Sequence, residues 1–167
     1  MPYQDHFIYT NRIRLHFIEY RTKENLPPLL LLHGLTANAH TFDGLIYNGL
    51  ADKFHLYIPD LRGRGHSDKP SYNYRIRHHA KDVIGMMDQL GLKKVMIAGH
   101  SFGGLLGIYL AVHFPERRSD RADRLQRPTR IHCFLPQRIR ISPARPAITH
   151  AVPALQRSEV CRYPKCQ

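Results

Sequence analysis

The sequence predicts an α/β fold in which a mostly parallel sheet carries helices on both faces. Three observations predict it. Leu29-Leu30-Leu31-Leu32 is a continuous apolar run, as expected of a parallel strand buried on both faces. Short apolar runs then alternate with helical periods along residues 41 to 113. Finally, the apolar run Val95 to Ala98 ends in Gly99-His100-Ser101-Phe102-Gly103 and is followed at once by a second apolar run, Leu105 to Val112. Strand, tight turn and helix succeed one another with a serine at the apex of the turn.

Taken in order, His6 to Tyr9 and Arg12 to Tyr20 read as two strands joined by a turn at Thr10-Asn11. The second alternates, with Ile13, Leu15 and Phe17 on one face and Arg12, Arg14 and His16 on the other, which predicts a half-exposed strand. Arg21 to Pro28 is a polar connection, and the leucine run that follows ends in His33-Gly34. Thr36 to His40 is a polar loop. Thr41 to Leu50 predicts a short helix with Phe42, Leu45 and Ile46 inward. His55 to Ile58 is the next buried strand, closed by Pro59-Asp60 and a glycine-rich basic loop, Leu61 to Pro70. From Tyr74 to Leu90 the period is helical, with Ile76, Ala80, Val83, Ile84, Met87 and Leu90 near one face. Arg75, Lys81, Asp82 and Gln89 fall elsewhere, and Gly91 stops the helix. The helix after Ser101 is apolar nearly all round and so expects burial.

The pattern G-x-S-x-G gains meaning from its setting. Between a strand and a helix it describes a nucleophile elbow, a sharp turn that lifts a serine hydroxyl above the sheet. Gly99 and Gly103 supply room where chain segments approach closely. The turn also sets Ser101 at the N-terminus of the next helix, where positive potential and free N–H groups favour developing negative charge.

Composition divides the chain in two. Residues 1–117 carry a net charge of +4 and residues 118–167 a net of +8, out of +12 for the whole. All 11 glycines precede residue 118, whereas Cys133, Cys161 and Cys166 and half of the 12 prolines follow it. The reading is therefore a folded unit over 1–117 and a basic Arg/Pro-rich tail over 118–167. The tail's arginines recur every third residue, which gives no helical face, and its prolines interrupt regular structure, so it is expected to lack fixed structure. Cys161 and Cys166 have no second cysteine pair to complete a structural zinc site, so free thiols and no metal are expected. The N-terminus shows no basic segment followed by an apolar one, and no apolar run approaches a membrane span. The expectation is a soluble cytoplasmic protein with no membrane partner.

The first 117 residues resemble the α/β-hydrolase family. Four stretches carry the resemblance in the family's order: L-L-L-L-H-G-L-T at 29–36, P-D-L-R-G-R-G-H-S-D-K-P at 59–70, L-G-L at 90–92 and G-H-S-F-G-G at 99–104. The resemblance implies Ser101 as nucleophile, with the backbone N–H groups of Phe102 and Leu35 as oxyanion donors and Gly99 and Gly103 as elbow glycines. It implies a small acyl or ester substrate and no cofactor. It also implies that His33 shapes the oxyanion loop rather than catalysing, and that His100 packs or tunes specificity. Asp60 would tie down the loop that follows it. Arg62 and Arg64 in a glycine-rich loop suggest phosphate by type, but the Lys-Ser/Thr of a phosphate loop is absent.

A serine needs a base and an acid, and in this fold they follow it in the order Ser, Asp/Glu, His. After H-F-P-E-R the family would continue into an apolar strand, whereas this chain gives R-S-D-R-A-D-R-L-Q-R. Asp120, Asp123, Glu159, His132 and His150 are candidates by type only, since none ends a recognisable strand. The acid and base are thus unassigned, and the expectation is a catalytically incomplete hydrolase whose residues from about 118 form an out-of-frame or alternative terminus. Without later strands, Val95 to Ala98 would be left as a bare apolar edge prone to pairing. The competing reading is a non-catalytic binding protein whose basic tail contacts nucleic acid or another polyanion. The tail carries no nucleic-acid motif and little aromatic interleaving beyond Phe134 and Tyr163.

Overall fold

The computed structural model describes residues 3–119. The strands are β1 (Gln4–Thr10), β2 (Ile13–Tyr20), β3 (Pro28–Leu32), β4 (His55–Pro59) and β5 (Met96–Gly99). They form one sheet in the order β1-β2-β4-β3-β5. β4, β3 and β5 are mutually parallel, while β2 runs antiparallel to β1 and to β4. The parallel part of the sheet holds the elbow, and the antiparallel hairpin widens the platform on the other side.

The hairpin turns on Asn11 and Arg12, whose φ angles are 45° and 65°. Two left-handed residues in succession make the tight turn whose twist matches that of the flanking strands. Arg12, expected as a strand residue, is therefore part of the turn.

The leucine run behaves as its composition requires. Leu30 and Leu32 face a core built with α2 (Ile76–Gln89) and α3 (Phe102–His113), alongside Val83, Met86, Leu106 and Leu110. Leu29 and Leu31 face the opposite core, with Ile18, Leu56, Ile58 and the short helix α1 (Asp43–Tyr47). Phe42 and Ile46 are buried there as expected, but Leu45 is 51% exposed. The expected single helix over 41–50 is broken up: a one-turn helix at Ala39–Phe42 precedes α1, and Gly49, with φ 93°, ends it. So short a helix turns only one narrow side inward, and Leu45 falls off it.

α2 ends at Gln89 with Leu90 as its cap, and Gly91 takes φ 66°, as its place after the helix predicted. Two expectations about polar faces are corrected. His16 is buried rather than exposed, because its ring lies between the carboxylates of Asp60 and Asp5, with Nδ1 2.8 Å from Asp60 Oδ2 and Nε2 2.9 Å from Asp5 Oδ1. Asp82 is also buried, on the α2 side that packs inward. The Arg62 guanidinium grips it with two hydrogen bonds, Nε to Oδ2 at 2.8 Å and Nη2 to Oδ1 at 2.7 Å, and Asn11 Nδ2 adds a third at 2.7 Å. Arg62 is thereby committed to an internal ion pair and is not available to an anion. Among the described residues no helix is long and apolar enough to cross a membrane. The tail features named above lie beyond Ser119, outside the described residues.

Candidate active site

Three segments converge at the carboxyl ends of β3, β4 and β5, where open parallel sheets form their crevices. β5 delivers the elbow. The His100 N–H donates to the Leu32 carbonyl at 2.9 Å, so pairing with β3 persists to the residue before the serine. Ser101 then takes φ 51° and ψ −117°, outside the regions that a side-chain-bearing residue adopts without strain. Its backbone carbonyl accepts from Gly104 N–H at 2.9 Å and Leu105 N–H at 3.2 Å, starting α3 directly.

The elbow glycines are required by contact. A Cβ on Gly103 would stand 2.0 Å from the Leu32 carbonyl oxygen, and one on Gly99 would stand 2.4 Å from the Gly103 carbonyl. α3 therefore packs onto β3 and β5 at backbone distance. Ser101 itself is exposed, and Phe102 is half-buried.

The second segment is the loop after β3. A Cβ on Gly34 would lie 3.6 Å from Ser101 Cβ, which sets this loop beside the serine. His33 is fully buried and both ring nitrogens are engaged. The Leu61 N–H donates to Nε2 at 2.9 Å, which leaves the proton on Nδ1, and Nδ1 donates to the Gly34 carbonyl at 2.7 Å. Burial lowers the His33 pKa, against smaller opposing effects of Gly34 and Asp60. The neutral ring is the form this geometry uses. The Ala37 N–H also donates to the Gly34 carbonyl, at 3.2 Å. With Gly34 O drawn to one side, the Leu35 N–H of the same planar peptide points to the other. Among the described residues neither the Leu35 nor the Phe102 N–H donates to another backbone group.

The third segment follows β4. Asp60 is buried at its centre: Oδ1 accepts the Ala39 N–H at 2.8 Å, and Oδ2 accepts the His66 N–H at 2.8 Å and the His16 ring. Burial would raise its pKa, but the hydrogen bonds from His66, Ala39 and His16 outweigh that and hold the carboxyl below its ordinary value. Asp60 thus ties the loop after β3 to the glycine-rich loop. Arg64 adds a second tie, its Nε donating to the Leu35 carbonyl.

Ser101, Gly99, Gly103, Phe102 and Leu35 are all gathered in this crevice. The residues named by type as acid or base, Asp120, Asp123, Glu159, His132 and His150, lie outside the described residues. Two histidines near the site were not singled out from the sequence. His16 has both nitrogens on carboxylates. His79, on α2, is 3% exposed, its Nδ1 has no hydrogen-bond partner, and its ring meets Phe102 edge-on at 5.0 Å. Burial and the nearby Arg62 and Arg64 push its pKa down to about 4. Its only signal in the sequence was a polar residue one position from the apolar face of α2.

Comparison with known proteins gives one consistent picture. A family model described as alpha/beta hydrolase fold matches residues 27–119. The 2-(acetamidomethylene)succinate hydrolase of Mesorhizobium japonicum is 33% identical over 114 residues, covering 67% of this chain and 40% of that protein. Haloalkane dehalogenase 2 of Mycobacterium tuberculosis is 31% identical over 126 residues, covering 75% of this chain and 40% of that protein. Among solved structures, epoxide hydrolase A from Mycobacterium thermoresistibile superposes with a TM-score of 0.65 at 28% identity, covering 70% of this chain and 37% of that one. The chain spans 40% or less of the length of these three proteins. With the family model matching more than half its length, the chain belongs to the alpha/beta hydrolase fold family.

Proposed function

We propose that this chain carries the nucleophile half of a serine hydrolase acting on an ester or related small acyl substrate. The carrying observation is the left-handed backbone of Ser101, held at the start of α3 beside two N–H groups without backbone partners. The Ser101 hydroxyl attacks the acyl carbon, and the carbonyl electrons move onto oxygen. That oxyanion is received by the Phe102 and Leu35 N–H groups, each such donor being worth about 2.7–4 kcal/mol in the transition state. Collapse breaks the bond to the leaving oxygen, which takes up the proton given up by the Ser101 hydroxyl and departs as the alcohol, leaving an acyl-serine for water to cleave. Ser101 favours acyl transfer over the halide displacement or epoxide opening named for some relatives, chemistry that the family carries out with an aspartate at this position.

Among the described residues no histidine is hydrogen-bonded to the Ser101 hydroxyl: His33 and His16 have both ring nitrogens engaged, His79 is buried against the Phe102 ring, and the Nδ1 of His100 is buried without a partner. Activity is therefore expected to be weak or absent, and residues from about 118 are read as an out-of-frame or alternative terminus. Translating the neighbouring frames of the coding DNA tests that reading, and a search that finds no hydrolase-like continuation would refute it. For the site, exposure to a fluorophosphonate probe is expected to modify Ser101 slowly, and Ser101→Ala is expected to abolish the adduct.

A further inference from the structure

A line of charge crosses three neighbouring strands beside the crevice. His16, on β2, is its middle member. Alternation along β2 puts its side chain on the face of Ile18 and Tyr20, where Ala39 is also buried. Just past β4, Asp60 stands opposite, its N–H donating to the His16 carbonyl at 2.9 Å. On β1, Asp5 stands diagonally across, next but one to Phe7, the register partner of His16. Asp60 Oδ2 lies 2.8 Å from Nδ1 of the ring and Asp5 Oδ1 lies 2.9 Å from Nε2.

Carboxylate oxygens only accept, so each ring nitrogen donates and the ring is an imidazolium. The side chains of His16 and Asp60 are each 2% exposed, whereas that of Asp5 is 53% exposed. The rings of Phe7 and His66 stand 4.9 and 5.1 Å from the His16 ring. Salt screens a pair enclosed in this way far less than a surface pair. Hydrogen bonds between ionised partners are also about twice as strong as neutral ones.

Asp60 passes this constraint to Leu35 along two routes. Its Oδ1 accepts the Ala39 N–H, in the same loop as Leu35. Its Oδ2 accepts the His66 N–H, in the glycine-rich loop whose Arg64 donates Nε to the Leu35 carbonyl. The loop carrying the Leu35 N–H is thus held from two directions by bonds that end on one carboxylate. A proton on Asp60 would turn one of its oxygens into a donor and break a route. The cation in contact with Asp60 that keeps this proton off is His16.

We infer that His16 is a positioning residue for the oxyanion site: an enclosed imidazolium, anchored by Asp5, that keeps Asp60 charged and so holds the Leu35 N–H beside Ser101. The inference rests on the serine-hydrolase reading of Ser101. His16 touches no reacting atom and acts only through Asp60.

Two substitutions in the full chain separate the two ring nitrogens. An asparagine amide falls near Nδ1 and can still donate to Asp60, whereas a glutamine amide falls near Nε2 and cannot. Fluorophosphonate labelling of Ser101 is expected to slow by about tenfold or more in His16→Gln. His16→Asn is expected to recover most of that loss. In the parent chain, nitrogen-15 NMR of the His16 ring near neutral pH is expected to show a proton on both nitrogens. A neutral ring, equal rates in the two variants, or the parent rate kept in His16→Gln would each overturn the inference and leave the labelled Ser101 standing. Should His16→Gln not fold, Asp5→Ala at its half-exposed position decides: slower labelling is expected, and an unchanged rate would overturn the inference. A parent chain that takes no label would instead sink the serine-hydrolase reading. Amide exchange at Ala39 and His66 then still reads the hold on the loop: faster exchange in His16→Gln than in His16→Asn supports it, and equal exchange refutes it.

Discussion

Gly103 and the Leu32 carbonyl are in such close approach that a Cβ on the glycine would stand 2.0 Å from the oxygen. Two more backbone atoms, Leu32 C and His33 O, lie within 2.7 Å of the same point. No flexible side chain is there to yield, so α3 would have to move off β3. Gly103→Ala is expected to destabilise the fold by about 3 kcal/mol or more, above the middle of the usual range for overpacking. Urea denaturation measures it, and a midpoint unchanged from the parent would show that the helix has slack at this point.

The Arg62–Asp82 pair makes a different prediction. Both side chains are buried, and burial pushes the Asp82 pKa up against the lowering effect of Arg62 and Asn11. Arg62→Met leaves the carboxylate without its partner and is expected to cost about 3–5 kcal/mol. Removing both in Arg62→Met with Asp82→Leu is expected to cost clearly less than the sum of the single changes. A double-mutant cycle on denaturant midpoints reads the difference. Additive losses would mean that the pair is not coupled as its two short hydrogen bonds require.

His79 sets an acid limit on stability. Its folded pKa of about 4 lies below the value of about 6.5 expected in the unfolded chain. The unfolded state therefore binds more protons between those values, so the contribution is complete above pH 6.5 and is lost as pH falls toward 4. Across that window it amounts to about 3 kcal/mol. Denaturation at pH 7 and near pH 4.5 should show a steep loss for the parent chain and a shallower one for His79→Phe. Parallel pH dependence in the two proteins would assign the acid sensitivity elsewhere.

Asp60 links the loop after β3 to the glycine-rich loop through Ala39, His66 and His16. In Asp60→Asn one carboxylate oxygen becomes an amide that can only donate. Either the Ala39 or the His66 backbone N–H must then lose its acceptor, whereas the His16 ring can accept from the new amide. A loss of about 1–3 kcal/mol is expected for a buried donor left unpaired, with faster amide exchange at Ala39 or His66. Exchange unchanged at both would remove Asp60 from its proposed positioning role.

How much of this was legible in the sequence follows from the range of each signal. The leucine run, the helix stop at Gly91 and the strand–turn–helix around Ser101 are local, and residues close in the chain specify them. The burial of His16 was not legible because the buried carboxylate on its Nδ1, Asp60, lies 44 residues away, and Asp5 on its Nε2 belongs to the neighbouring strand. Alternation alone marks such a histidine as solvent-facing. Asp82 misled in the same way, since its partner Arg62 sits in a loop that reads as solvated or phosphate-binding. Leu45 failed for the opposite reason, because the periodicity assumed a longer helix than Gly49 permits. The two N–H groups at the site could be named only through family resemblance, as main-chain donors leave no mark on side-chain identity.

We propose that Ser101 is a nucleophile set beside two main-chain N–H donors, with no base hydrogen-bonded to it among the described residues. Intact-mass and peptide mass spectrometry after exposure to a fluorophosphonate probe test it most directly. A single adduct on Ser101 is expected, absent in Ser101→Ala, that forms about 10⁴–10⁶ times more slowly than in a hydrolase with a complete triad. Labelling at the rate of a complete enzyme, or an adduct that persists in Ser101→Ala, would contradict it.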